Sequence, residues 1–156
     1  MTIIEHALYG GASVYKFDQK LFWWGMLIGL FPDIPPLLFA MYKVGAKKGL
    51  QHFTWKAISE DIPESVYKLY DVTHSFVTVI IVSFILYFVA RSLTILVIPW
   101  TLHILCDIPF HDSRFSTRFL YPLTNLHIHG YSQRNHRWIH IVNGFVIVSI
   151  YIWLLK

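Results

Sequence analysis

The sequence predicts an all-α fold, an integral membrane helical bundle of about four or five membrane-embedded helices that opens with a short N-terminal hairpin. Three observations lead there. The composition is 55% hydrophobic and 17% aromatic but only 14% charged, against roughly 25% charged in ordinary globular domains. Long apolar runs recur along the chain, and the polar stretches between them hold most of the basic residues. A chain of 156 residues is one domain's worth of material, and a domain that small cannot hide so much apolar surface within itself. An apolar solvent accounts for the excess better than a soluble core does.

Residues 3–15 read as a helix of ~20 Å at 1.5 Å per residue, too short to cross a hydrocarbon core about 30 Å thick. Paired with residues 21–31 across the polar turn 16–20, it makes the N-terminal hairpin. Residues 21–42, LFWWGMLIGLFPDIPPLLFAMY, hold three prolines and Asp33. A proline ring removes a donor and clashes with the preceding turn, so the helix is expected to break at about Phe31. Residues 76–100 are almost wholly apolar apart from Arg91, and the run continues to Phe110. That is too long for one crossing. A hairpin turning at Arg91 and Ser92 gives segments 74–90 and 93–109. Residues 139–155 form the last candidate segment, with Lys156 as its anchor.

These hairpins put the polar stretches 43–73 and 111–138 on one side of the membrane. Nine Lys/Arg lie there (Lys43, Lys47, Lys48, Lys56, Lys68, Arg114, Arg118, Arg134 and Arg137), against Lys16, Lys20, Arg91 and Lys156 on the other. The asymmetry predicts a multi-pass protein with its polar loops in the cytoplasm. The formal charge of +4 is dispersed among loops, which favours membrane lipid as a partner and argues against nucleic acid. A single cysteine, Cys106, excludes an intrachain disulfide and a Cys-based zinc site. Glu5 and His6 stand where a signal peptide has its basic region, so no cleaved targeting segment is expected.

The ionisable residues of the apolar segments converge. His6 lies near the start of the first helix, Asp33 at the break of the second, His74 at the start of the third, and His103 and Asp107 in the last turns of the fourth. With helices alternating in direction, all five fall toward the cytoplasmic end. Singly they have plainer readings: Asp33 as a turn residue before Ile34, Pro35 and Pro36, His74 as an interfacial residue at a helix N-terminus capped by Thr73 or Asp71. His103 and Asp107 resist that treatment, because a four-residue spacing shares one helix face and intramembrane ionisable groups are paired or functional. His111 continues the spacing past Pro109. Together the set offers imidazole nitrogen and carboxylate oxygen, the donors that zinc or manganese takes. A cation also removes the cost of holding a carboxylate charged in a low-dielectric place. Among the later residues, Arg114, Arg118, Arg134 and Arg137 read either as interfacial contacts to lipid phosphate or as a clamp on a substrate phosphate. His127, His129, His136 and His140 lie among them, and a further carboxylate-bearing metal site is not expected there.

An early histidine in EHALYGGASVYKFD, then GLFPDIP, YDVTHS and HILCDIPFH, followed by RFLYPL and Gly130, resembles the membrane-bound metal-dependent hydrolase family, the DUF457 or YdjM-like group. The resemblance runs through nearly the whole chain in order. That family is in turn distantly similar to bacterial zinc-dependent phospholipase C. The resemblance implies His6, Asp33, His74, His103 and Asp107 as ligands to one or two divalent ions, Asp107 as the bridging candidate, and a bacterial inner-membrane location. Many members carry His-Arg-Gly before Thr-His-Ser, where this chain has Leu69, Tyr70 and Asp71, so any substrate contact made by those basic residues does not carry over.

The resulting expectation is a metal-dependent hydrolase of a phosphoester or phospholipid, working through a metal-activated water, with the arginines holding the phosphate. A non-catalytic metal staple is the alternative. A proton- or ion-relaying transporter ranks below both, because no inverted repeat is visible.

Overall fold

Helix α1 (Ile3–Tyr15) opens on a capping box. The Thr2 hydroxyl accepts from the Glu5 N–H at 3.2 Å, and the Glu5 carboxylate accepts from the Thr2 N–H at 2.6 Å. Two N–H groups that no helical carbonyl can reach are thereby satisfied. The computed structural model describes residues 1–48, 62–111, 113–131 and 136–156. Among them the chain is all-helical, and no strand occurs.

After α1 the chain turns at Asp18, whose side chain accepts from the Lys20 N–H at 2.9 Å. A 3-10 turn, Gln19–Leu21, leads into α2 (Phe22–Leu30). The α1–α2 crossing is made by Gly10, Gly25 and Gly29. A Cβ on Gly10 would meet the Gly25 carbonyl oxygen at 2.4 Å, and one on Gly29 would meet the His6 carbonyl oxygen at 2.6 Å. Backbone lies against backbone there, so nothing larger than glycine fits without moving a helix.

The helix breaks at residues 31–33, as the prolines predict, and resumes as α3 (Ile34–Lys48). Pro35 and Pro36 fall in the first turn of α3, where a missing N–H costs no helical bond. The two pieces are bent by 44°. A second break joins α4 (Glu64–Thr73) to α5 (Phe76–Val89), with a bend of 54°. The chain then passes through 3-10 turns over Arg91–Leu96 into α6 (Val97–Asp107), and ends in α7 (Arg137–Leu154).

The structure revises several expectations. Segment 74–90 is helical only from Phe76, and its cap is Ser75, whose hydroxyl accepts from the Val77 N–H at 3.1 Å. His74 therefore closes α4 instead of opening α5, and neither Thr73 nor Asp71 caps α5. Segment 93–109 becomes α-helical only at Val97. Within the polar stretch 43–73, the end of α3 and all of α4 are helical. No single helix among the described residues is long and apolar enough to cross a membrane, although the two bent pairs meet that test together.

Apolar packing is split into two small clusters. Ala40, Val44 and Val66 join α3 to α4, while Val79, Trp100 and Ile104 join α5 to α6. Between the helices the fully buried side chains include His6, His74 and Asp107. The outer faces are strongly apolar: Trp23, Ile80, Phe84, Phe88, Phe145 and Trp153 are all more than 60% exposed.

The crossing generates a paired prediction. Gly10→Ala is expected to destabilise the fold by about 1–3 kcal/mol through overpacking, whereas Gly144→Ala, with nothing within 4 Å of its Cβ, should be stabilising by roughly 0.5–1 kcal/mol. Thermal or denaturant unfolding of the two variants reads the difference, and equal midpoints would contradict the packing account.

Candidate metal centre

Two helix breaks and one helix end bring four side chains to one point. Asp33 stands in the α2–α3 break, His74 in the α4–α5 break, and His103 and Asp107 on one face of the last turns of α6. Ligand atoms of these four residues all lie within 4.8 Å of one another, so the group can hold a metal ion. Fixed positions such as these follow from the local sequence. Asp33 starts α3, its carbonyl accepting from the Leu37 N–H at 3.1 Å. Ser75 donates its hydroxyl to the Tyr121 carbonyl at 2.5 Å and the Phe76 N–H reaches the Phe119 carbonyl at 2.9 Å, pinning the α4–α5 break to the later loop.

The histidine hydrogen bonds define what faces the cluster. His74 Nδ1 lies 3.0 Å from the Tyr70 carbonyl oxygen, and His103 Nδ1 lies 2.6 Å from the Gly29 carbonyl oxygen. A carbonyl only accepts, so each Nδ1 carries the hydrogen, and a neutral ring in that tautomer would present a lone pair at Nε2. Those two Nε2 atoms are 3.1 Å apart. They also approach Asp107 Oδ2 at 3.5 and 3.1 Å and Asp33 Oδ1 at 3.3 and 3.7 Å. Acceptors converge on acceptors. Asp107 Oδ2 is buried without a hydrogen-bond partner, and a cation at the centre supplies what the neutral rings withhold.

Asp107 Oδ1 faces a second group. His6 Nε2 is 2.9 Å away and His111 Nε2 is 3.2 Å away, with the Met1 amino group at 3.1 Å. His6 is 2% exposed, and both its ring nitrogens are buried without a hydrogen-bond partner. Its ring stacks on His103 with centroids 3.8 Å apart. The sequence-predicted His6, Asp33, His74, His103, Asp107 and His111 are thus brought together, divided between the two oxygens of one carboxylate. Pro109 does not carry His111 away: the His111 N–H bonds the Asp107 carbonyl at 3.0 Å, and Gly130 donates its N–H to the His111 carbonyl at 2.9 Å. A Cβ on Gly130 would stand 2.5 Å from the Pro109 carbonyl oxygen.

The arginines are arranged differently. Arg118 donates to Asp71 at 2.8 Å, and Arg114 lies over the Tyr67 ring at 5.5 Å. Arg134 lies outside the described residues, and Arg137 opens α7. Of the later histidines, His127 and His129 pack edge to face at 4.7 Å, His136 precedes α7, and His140 lies 3.3 Å from Glu5. The residue sequence reasoning missed is Tyr70, fully buried beside His74 and 3.1 Å from His111. Its only signal was its place one turn before His74.

Comparison of the chain with protein-family models, with curated proteins and with solved structures finds no match.

A cation that binds the folded centre stabilises it by mass action, about 2.7 kcal/mol at a hundredfold excess over Kd. Zinc-loaded protein should therefore unfold several degrees above protein stripped by chelator, as read by a thermal shift. Identical midpoints would contradict the metal reading.

Proposed function

We propose that the protein is a membrane-embedded, metal-dependent hydrolase of phosphoester bonds, with a phospholipid or a small phosphoester as substrate. The observation that carries this reading is the convergence of histidine Nε2 atoms on both oxygens of the buried Asp107. The nitrogen and oxygen donors, with no thiolate among them, fit zinc first and manganese second. A bound divalent ion supplies Lewis-acid polarisation and lowers the pKa of water toward neutrality.

The chain's own residues define the rest. Asp107 bridges two ligand groups, with Asp33, His74 and His103 on one side and His6 and His111 on the other. Catalytic sites keep a position open, and exposure supports one here. The side chains of His6, His74, His103 and Asp107 are at most 1% exposed, whereas Asp33 is 25% and His111 23% exposed. Water and substrate reach the centre from that side. Arg114, Arg118, Arg134 and Arg137 provide the positive charge that attracts a phosphate, Arg118 being held in place by Asp71.

Membrane embedding is supported by the apolar outer faces of α5 and α7, where Ile80, Phe84, Phe88, Phe145 and Trp153 are exposed among the described residues. The bent pair α4–α5 suits a membrane because its break, at Thr73, His74 and Ser75, is buried within the protein. The excess of basic residues in the polar stretches supports a cytoplasmic side for them, and the location we propose is the bacterial inner membrane. A purely structural metal is the second reading, favoured by one observation: the four clustered ligands come from the α2–α3 break, the α4–α5 break and α6, which a single ion would staple together.

Metal analysis and a phosphodiesterase and phospholipid-hydrolysis screen separate these readings. Wild type purified without chelators should retain zinc or manganese and turn over a phosphoester. Asp107→Asn should lose the metal and at least 100-fold of the activity, about 2.7 kcal/mol of barrier at 1.36 kcal/mol per tenfold. Retained metal with no turnover on any phosphoester would favour the staple, and absence of metal from wild type would end both readings.

A further inference from the structure

Tyr70 sits in the last turn of α4 with its side chain buried between the two halves of the cluster. Its backbone and its phenol address different histidines. The carbonyl oxygen accepts the His74 backbone N–H at 2.9 Å, closing α4, and also takes His74 Nδ1 at 3.0 Å. The ring lies flat on the His74 imidazole, centroids 3.7 Å apart and planes 20° from parallel. The phenol oxygen then reaches His111 Nδ1 at 3.1 Å, 41 residues along the chain.

We propose that Tyr70 is a positioning residue for the centre, its ring and carbonyl setting His74 and its phenol fixing the ring of His111; this rests on the metal reading above. For His111 to offer a lone pair at Nε2, its Nδ1 must carry the hydrogen and donate it. The phenol oxygen is the acceptor placed to receive it. Partners of this kind on the far nitrogen of a ligating imidazole fix its tautomer and raise its basicity, and losing one weakens metal binding about 10–100-fold.

The backbone of His111 is already held from two sides, through Asp107 and Gly130. What the phenol adds is control of ring rotation, in a side chain that is 23% exposed and has room to turn. Removing the phenol should accordingly change ligand geometry without loosening the helix. Thr73 and Trp100 anchor the end of α4 independently of the phenol: the Thr73 hydroxyl bonds the Tyr70 carbonyl at 3.1 Å, and the Trp100 indole bonds the Thr73 carbonyl at 2.8 Å.

Cobalt(II) titration followed by visible absorption tests the inference in wild type, Tyr70→Phe, His111→Ala and the double variant. Phenylalanine keeps the stacked ring and removes only the hydroxyl. Tyr70→Phe should bind cobalt about 10–100-fold more weakly with an altered ligand-field spectrum. Adding it to His111→Ala should produce no further loss, since the two act as a unit. Cobalt binding to Tyr70→Phe with wild-type affinity and spectrum would overturn the role of Tyr70 and leave the metal reading intact, as would losses that simply add in the double variant. Failure of wild type to bind cobalt at all would overturn both together.

Discussion

Asp107 is a carboxylate with no exposed surface, met on both oxygens by histidine nitrogens, and the rest of the structure is arranged around that constraint. A buried carboxylate is costly unless it is paired or coordinates a metal. The Met1 amino group reaches Oδ1 at 3.1 Å, but the neighbours of Oδ2 are His74 and His103, each of which spends its Nδ1 hydrogen on a backbone carbonyl. Their Nε2 lone pairs then face the carboxylate and one another. Protonating the rings is one remedy, but His6 and His103 stack at 3.8 Å, a poor arrangement for two adjacent cations. A divalent ion held by Asp33, His74, His103 and Asp107 would answer the contacts on the Oδ2 side together.

The same constraint explains why the helices break where they do. A straight helix presents ligands only along one face, at spacings of three and four residues, as His103 and Asp107 do. The two bent pairs bring Asp33 and His74 inward from junctions where the backbone leaves the helix. Glycine contact between α1 and α2 brings His6 close enough to stack on His103, and the Gly29 carbonyl that orients His103 comes from that same crossing. Packing and site therefore share residues: Gly29 is both a close-approach position and a hydrogen-bond acceptor for a proposed ligand.

Much of this was legible in the chain. The all-α class followed from apolar runs, the end of α1 from the polar turn after it, and the break before α3 from Pro32, Pro35 and Pro36. The pairing of His103 with Asp107 followed from helical spacing. The helix position of His74 was misread, because a helix N-terminus and a helix C-terminus both tolerate histidine, and only Ser75 acting as the next cap decides between them. Separate spans were expected where the structure has shorter, bent pairs, since hydropathy reports apolar length and not the direction of the axis. Tyr70 was invisible because its partner His111 is remote in sequence, and nothing in periodicity signals a contact of that range. The pairing of Arg118 with Asp71 was hidden for the same reason.

X-ray absorption spectroscopy of the zinc-loaded protein tests the central claim most directly, because it reads the ligands themselves. The account predicts a shell of nitrogen and oxygen at about 2.0–2.2 Å, with the outer-shell scattering of several imidazole rings and no sulfur. A shell of oxygen alone, without imidazole scattering, would contradict it: the ion would be held elsewhere, and the histidines around Asp107 would answer to protons instead.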